Sequence, residues 1–542
     1  MAVEAPVTAL SSQPERSRST TLRVAVLAVA VMPPLTQAVW FVGHPQRDWP
    51  LNFADDAFYY LGVARNVAAG HGSTFSGLVH TNGYHPLWLL LLAGAALVVR
   101  DAYDLLAAVM VIQAVLWVAA VGQAMAIGRR LGSEAAALAG LVAFGTLTVL
   151  TGQLSFAGME SAPLVLALLV AVRLILALPA GDDHRGEWTL GIVLAVVALV
   201  RLDATPTALA LAVVAAARPG TAPGTRPTRY GRLVGPLAAG LAVYMAFNQA
   251  VFGTATPVSG QAKAIGAPFA NLRPVRQFLQ AGQIGPHPLW IGALTLGVLA
   301  AAGALGAPRL DPTSRRLWGC ALAFLAAQAV LLAYLVMASG YPVWAWYHYN
   351  LALLAFCATT LAALAIIRRP EPGRLARRAQ GACVAGALAF AAVQMPVTLL
   401  SHTNHGPQAV LTARFLAERL PPGTVVAMGD RAGLVGYLAD RPMLQLEGLV
   451  ADKSWLDALR TGTEPAAIAR AGVTVYVRAG FLPRPVPGPN GRPCRHMLEP
   501  KNSEGPRFVL VVCDDDLLFS AGAGGESFSV FRYRPELNRS PR

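Results

Sequence analysis

Long apolar runs recur along most of this chain, and a run of about 20 residues at 1.5 Å per residue crosses the ~30 Å hydrocarbon core of a bilayer. They fall near residues 21–42, 103–127, 134–151, 160–178, 188–201, 204–217, 231–252, 288–307, 316–339, 344–367 and 379–400. A chain so patterned must satisfy its backbone within helices, so the fold class is a polytopic α-helical membrane protein of about eleven spans. The runs near 188–201 and 204–217 are short, which makes that hairpin the weakest part of the count. Only 13% of the residues are charged, roughly half the fraction in soluble domains. A net charge of +14 would suit nucleic acid. The arginines, however, gather in loops between spans, where positive charge orients membrane helices. Membrane lipids, not nucleic acid, are the expected surroundings.

Charge also sets sidedness. The run from His85 to Val99 holds 15 residues, short of the hydrocarbon core. If it lies in the interface, then Arg16, Arg18, Arg23, Arg129, Arg130, Arg185, the Arg218–Arg232 loop, Arg309, Arg315, Arg316 and the Arg368–Arg378 loop share one face. If it crosses, the later loops invert and most of these arginines move outside. The first arrangement obeys the positive-inside rule. It predicts a cytoplasmic N-terminus and an extracytoplasmic C-terminus. The first span reads as a signal anchor, kinked at Pro33-Pro34.

The predicted organisation is a cytoplasmic tail (1–20), a transmembrane domain (21–400) and an extracytoplasmic α/β domain (401–542). An external loop (43–102) with juxtamembrane helices belongs to the transmembrane domain. In the last region QAVLTARFLAERL patterns as a helix, stopped at Pro421-Pro422-Gly423. TVVAMGD, VTVYVRAG, RFVLVVCD and SFSVFRYR pattern as strands, and PRPVPGPNGRP as a surface loop. Cys320, Cys357 and Cys383 fall in or beside apolar runs and read as buried small side chains. Cys494 and Cys513 are a candidate disulfide if exported, with two separate thiols as the equal alternative.

The densest polar cluster follows the first span: DWPLNFADDAFYYLGVARNVAAGHGSTFSGLVHTNGYHPLW, Asp48 to Trp88. Asp55 and Asp56 open an amphipathic stretch suited to the interface, at a helix N-terminus that favours their ionised form. A solvated acidic pair in a loop is the plainer reading. The functional one is a carboxylate at the bilayer edge acting as general base on a hydroxyl acceptor.

That stretch resembles the first external loop of the GT-C superfamily of membrane glycosyltransferases, with its acidic pair after the first span, juxtamembrane helices and an x-H-P-x-W/L run. The form here is most similar to the bacterial arabinofuranosyltransferase-like branch. Gly158-Met159-Glu160-Ser161, Arg201-Leu202-Asp203, Phe252-Gly253 through Pro257 to Lys263, Trp346-Tyr347 and GDRAGLVGYLADRPMLQLEGLV resemble later landmarks of that branch in the same order. Leu202 stands where the branch often has proline. The resemblance implies an enzyme that moves a hexosyl or pentosyl group from a polyprenyl-phosphate-linked sugar donor to an extracytoplasmic glycan, lipid or protein acceptor in cell-envelope biogenesis.

It also implies roles. Asp55 is the first choice for general base and Asp56 the second. Lys263 and Arg201 are the candidates for the donor phosphate, with Arg65 behind them; interfacial snorkelling is the alternative for each, and Arg201 has Asp203 as a possible pair. Glu160, His85 and His348 are candidates for acceptor or metal binding, a divalent ion such as Mg or Mn being optional in the family and no other cofactor implied. Trp344, Trp346, Tyr347 and Tyr349 read first as an interfacial aromatic belt. Asp430 and Glu447 read as surface acids, with a sugar-binding alternative that rests on the resemblance. Two rival functions stand beside transfer. A transporter or flippase would carry ionisable groups near mid-membrane, where this chain has little beyond Arg173. A non-catalytic cell-envelope assembly factor could use the same scaffold.

Overall fold

The computed structural model describes residues 13–150, 157–218, 226–267, 272, 311–341, 344–368, 374–400, 406–501, 507–522 and 527–538. The predicted span near 288–307 and Arg309 lie outside these residues. The helices of the membrane half are α1 (Gln13–Gly43), α2 (Asp55–Ala68), α3 (Pro86–Val98), α4 (Ala102–Arg130), α5 (Glu134–Leu150), α6 (Ser161–Ala177), α7 (His184–Val200), α8 (Thr205–Ala216), α9 (Arg226–Phe252), α10 (Val258–Ala264), α11 (Pro312–Ala338), α12 (Tyr349–Ile367) and α13 (Arg374–Leu400). Among the described residues, five helical stretches are long and apolar enough to cross a membrane: Thr20–Gly43, Ala102–Arg130, Pro227–Phe252, Pro312–Ala338 and Trp346–Ile367. The protein is therefore a polytopic membrane protein. Helix α3 has 13 residues, about 20 Å, and is too short to cross unaided. It packs along α2 beside the bundle.

Elements end where the sequence supplies a stop or a cap. Asp101 caps α4 by accepting from the Tyr103 and Asp104 amides, and Asp311 caps α11 through Thr313 and Ser314. Gly186 lets α7 start tightly against Asp183, whose side chain accepts its amide at 3.0 Å. Just inside that start, Glu187 sits among three arginines. Arg218 Nη2 is 2.5 Å away, Arg229 Nε 2.7 Å and Arg232 Nε 2.6 Å. This cluster staples α7 to the long α9 and to the segment after α8.

The C-terminal part is an α/β unit. Helix α14 (Pro407–Arg419) leads to β1 (Val425–Met428), α15 (Ala432–Ala439), β2 (Met443–Gln445), α16 (Lys453–Thr461), α17 (Glu464–Arg470) and β3 (Val473–Ala479). Then come β4 (Val486–Pro487), β5 (Pro493–Glu499), β6 (Phe508–Cys513), β7 (Leu517–Ala521) and β8 (Phe528–Arg532). One sheet runs β2-β1-β3-β8-β7, with β2, β1 and β3 parallel and the rest antiparallel; the other runs β4-β5-β6. The Pro-rich loop is thus not wholly irregular, because Val486 and Pro487 pair with Cys494 and Pro493. Cys494 and Cys513 stand opposite each other on β5 and β6 and form a disulfide. Because β1 and β2 are parallel, their carboxyl ends share one edge of the sheet, the usual ligand-facing edge of such units. That edge and α15 pack against α2. Buried Val426, Met428, Val435 and Tyr437 belong to one apolar core with Phe53, Phe58 and Leu61 of the membrane half.

Candidate active site

The two adjacent acids have separate surroundings. Ala54 is extended and its amide donates to the Ala157 carbonyl at 3.0 Å, which fixes where α2 begins. Asp55 and Asp56 occupy its first turn, about 100° apart around the axis. Asp55 turns to the α/β unit. Its Oδ2 accepts the Gly433 amide and its Oδ1 the Leu434 amide, each at 3.0 Å, at the N-terminus of α15. Glycine is required at 433, since a Cβ there would stand 2.1 Å from the Asp55 carbonyl oxygen. Burial raises the Asp55 carboxyl to about 7, against the pull of the Leu434 amide and with the help of neighbouring Asp56.

Asp56 keeps its carboxylate free of hydrogen bonds and ion pairs among the described residues. The charges acting on it are Lys263, Glu160, Asp430 and Arg201. Burial raises its pKa and Lys263 opposes the rise. No salt bridge within 4.0 Å joins Asp56 to Lys263, yet each bears on the other's charge; the gap between them is the candidate site.

One wall of that gap is a closed ion network. Gly158 and Met159 are clamped to α4 by Gln113, which accepts the Gly158 amide at 3.2 Å and donates to the Met159 carbonyl at 3.0 Å. Trp88, 1% exposed, donates to the Gly158 carbonyl at 3.2 Å. Glu160 is thereby set at the start of α6. Its Oε1 accepts Arg201 Nη1 at 2.9 Å. Arg201 also grips Asp203 with two bonds, 2.6 and 3.0 Å, and lies over the rings of Tyr347 and Tyr349, 5.0 and 5.4 Å from their centroids. Burial works against the Arg201 charge, but Asp203 and Glu160 hold its pKa above the usual value. Arg201, expected at the donor phosphate, is 1% exposed and engaged by two carboxylates. His85 Nδ1 accepts the Leu202 amide at 3.2 Å, leaving Nε2 3.8 Å from Glu160 Oε1. Burial lowers the His85 pKa, although Glu160 pulls the other way.

Lys263 closes a second wall. Asn82, fully buried, accepts the Val258 amide at 2.9 Å and so ties the first loop to the start of α10. At the end of α10, the Lys263 carbonyl accepts the Gly340 amide at 2.8 Å. Its Nζ donates to the Tyr347 hydroxyl at 3.4 Å. Burial disfavours the ammonium, but Tyr347 and Asp56 outweigh it and the pKa stands above the ordinary lysine value.

The third wall is the carboxyl edge of the sheet. Asp430 follows β1 and accepts Lys501 Nζ at 3.0 Å. Glu447 follows β2; its Oε2 accepts Gln445 Nε2 at 3.4 Å, and its Oε1 is buried without a hydrogen-bond partner. Glu499 ends β5, its Oε1 accepting Tyr476 and Arg478, each at 2.6 Å, while its Oε2 is likewise without a partner. Burial, then Asp430 and Glu499, drive the Glu447 carboxyl well above the usual range.

The fold thus brings Asp56, Glu160, Arg201, His85 and Lys263 into one cluster and turns Asp55 away from it. His348 ends the short 3-10 turn that leads into α12. Tyr347 and Tyr349, expected in an interfacial belt, are buried and offer their ring faces to Arg201. Sequence reasoning missed Gln113, Asn82 and Glu499. A polar residue inside an apolar span was a usable signal for Gln113; Glu499, in the mixed stretch CRHMLE, offered none. Among the described residues, the one trio of metal-ligating atoms within 4.8 Å of one another is Cys513, Asp515 and Asp516, where the sulfur is held in the disulfide. Asp56, Glu160 and His85 do not form such a trio.

No family model and no curated protein matches the sequence. Solved structures do. The chain is similar to ArnT from Cupriavidus metallidurans bound to undecaprenyl phosphate, at TM-score 0.51 and 12% identity over 83% of this chain and 96% of that one. The apo state of ArnT gives TM-score 0.50 and 12% identity over 85% and 93%. The arabinosyltransferase EmbB from Mycobacterium smegmatis aligns at TM-score 0.37 and 15% identity over 90% of this chain and 47% of that one, too loosely to add to the ArnT likeness. The likeness to ArnT is one of fold.

Proposed function

We propose that the protein is a bacterial inner-membrane glycosyltransferase that takes a sugar from a polyprenyl-phosphate donor and passes it to a hydroxyl of an extracytoplasmic glycan, lipid or protein. The observation that carries the reading is that Asp56, unbonded among the described residues, lies within electrostatic reach of the half-buried Lys263, whose Nζ donates to the Tyr347 hydroxyl. The ArnT likeness, and undecaprenyl phosphate bound to that protein, make a lipid phosphate the natural partner of the ammonium. A cross-strand disulfide suits an oxidising compartment for the α/β unit.

In this reading Asp56 accepts the proton of the acceptor hydroxyl as that oxygen bonds to the anomeric carbon. The bond from that carbon to the phosphate oxygen breaks, and its electron pair leaves on the phosphate. Lys263 stabilises the anion so formed. Glu160, Arg201 and Asp203 hold the wall and the local field without touching the phosphate. Asp55 is a positioning residue: it docks the α/β unit over the gap. Asp56 is preferred over Asp55 in this reading because both Asp55 oxygens accept amides at the N-terminus of α15.

Membranes carrying Asp56→Asn, mixed with donor lipid extracted from a deletion strain, should consume it at least about a hundredfold more slowly than wild type. Full consumption by Asp56→Asn and none by Asp55→Asn would return the base to Asp55.

A further inference from the structure

A second polar cavity lies at the other end of α2. Arg65 is ten residues beyond Asp55, about 15 Å along the helix, so the cavity is separate from the gap beside Asp56. It measures about 320 Å³ and is lined by Arg65, Arg100, Arg441, His71, Asn66 and Asp440, among others. We propose that this cavity binds the phosphate headgroup of an anionic membrane lipid.

Its height in the bilayer is marked twice. Arg100 stands two residues before α4, a 29-residue candidate span. Tyr437, another lining residue, donates its hydroxyl to the carbonyl of Ala102, the first residue of that span, at 2.7 Å. Beside it α3 exposes Leu97 and Val98, 60% and 85% accessible, as a lipid-facing edge. The cavity therefore opens where a span leaves the hydrocarbon.

Its charge is uncompensated. None of the three arginines forms an ion pair among the described residues. Arg441 donates to three backbone carbonyls, those of Asp440, Ala417 and Leu420, and its Nε is buried without a hydrogen-bond partner. Arg65 lies over the Tyr437 ring, 5.1 Å from its centroid. Asp440 is the single carboxylate in the lining. Guanidinium forks match phosphate oxygens two at a time, and basic pockets at the bilayer surface select anionic headgroups. A zwitterionic headgroup would bring its own cation against three guanidiniums. A lipid seated here touches both α2 and α15, the helices that Asp55 joins, so occupancy also favours docking of the α/β unit.

The test uses the full-length protein purified in mild detergent, with native mass spectrometry reading bound lipid. The probes are dioleoylphosphatidylglycerol, dioleoylphosphatidylcholine and inorganic phosphate. Phosphatidylglycerol should be retained over phosphatidylcholine, and each of Arg65→Gln and Arg100→Gln should weaken that retention about fivefold. Lys263→Met, at the other site, should leave it unchanged. Arg100 is exposed, so its variant folds even if Arg65→Gln does not. Equal retention of the two lipids, or unchanged retention in Arg100→Gln, overturns the proposal. Displacement of phosphatidylglycerol by millimolar inorganic phosphate would assign the cavity to a free anion and overturn the lipid assignment.

Discussion

Helix α7 joins two buried ion clusters built from the same residue types. Glu187, in its first turn, is enclosed by Arg218, Arg229 and Arg232, and Arg229 also holds Asp182 at 2.7 Å. Past its last turn, Arg201 bridges Glu160 and Asp203, and beyond them stand Asp56, Asp430, Glu447 and Glu499. The first cluster has excess cations and no unmet carboxylate. The second has excess acids, and three of its carboxylate oxygens, on Glu160, Glu447 and Glu499, are buried without hydrogen-bond partners. Burying charge is costly unless it is paired. A staple satisfies its acid completely, as at Glu187. A site keeps an acid unsatisfied because a ligand is to meet it, as at Asp56.

Substitutions in each cluster should separate these two uses. The largest effect expected is on turnover: Asp56→Asn should lower it about 10²- to 10⁴-fold while leaving the melting temperature in place. Next, Glu187→Gln should leave three arginines around a neutral amide and cost about 3–5 kcal/mol, read as a lower melting temperature with normal turnover per folded molecule. An unchanged melting temperature would deny that cluster its role as a staple.

Lys263→Met should weaken donor binding and also move the acidic limb of the pH–rate profile upward. The sign follows from Asp56, whose pKa burial raises and Lys263 holds down; without the ammonium the carboxylate forms only at higher pH. A limb that stays put would mean that the two groups do not share the site. The smallest effect concerns Asp55. Asp55→Ala leaves two amides of α15 unmet and should cost about 1–3 kcal/mol, visible as faster proteolysis of the α/β unit. A carboxyl raised to about 7 on folding holds its proton more tightly in the folded state. Its contribution to stability is full below its unfolded pKa near 3.8 and is lost as pH rises through about 7. That decline should be present in wild type and missing in Asp55→Asn.

How much of this was legible depended on whether the cause was local. Helical spans, the strands of SFSVFRYR and VTVYVRAG, and the stop at Pro421-Pro422 follow from short-range pattern, and the structure has them. The acidic pair was visible as a pair. Which acid does the chemistry was not, because the amides that engage Asp55 lie 378 and 379 residues away. In sequence Arg201 shows only Asp203 as a possible pair; the fold brings Glu160, 41 residues distant, against it as well. Strand β2 is three residues long and fully buried, too short to show any period. The Cys494–Cys513 bond depended on a register that spacing alone left open.

The central claim is tested most directly by the lipids of three otherwise identical strains. They carry no gene, the wild-type chain, or Asp56→Asn, and the measurement is mass spectrometry of their polyprenyl-phosphate sugars. The account predicts that one such lipid accumulates in the null strain, accumulates equally with Asp56→Asn, and falls to its normal level with the wild-type chain. An Asp56→Asn strain whose lipid profile matches wild type would contradict it.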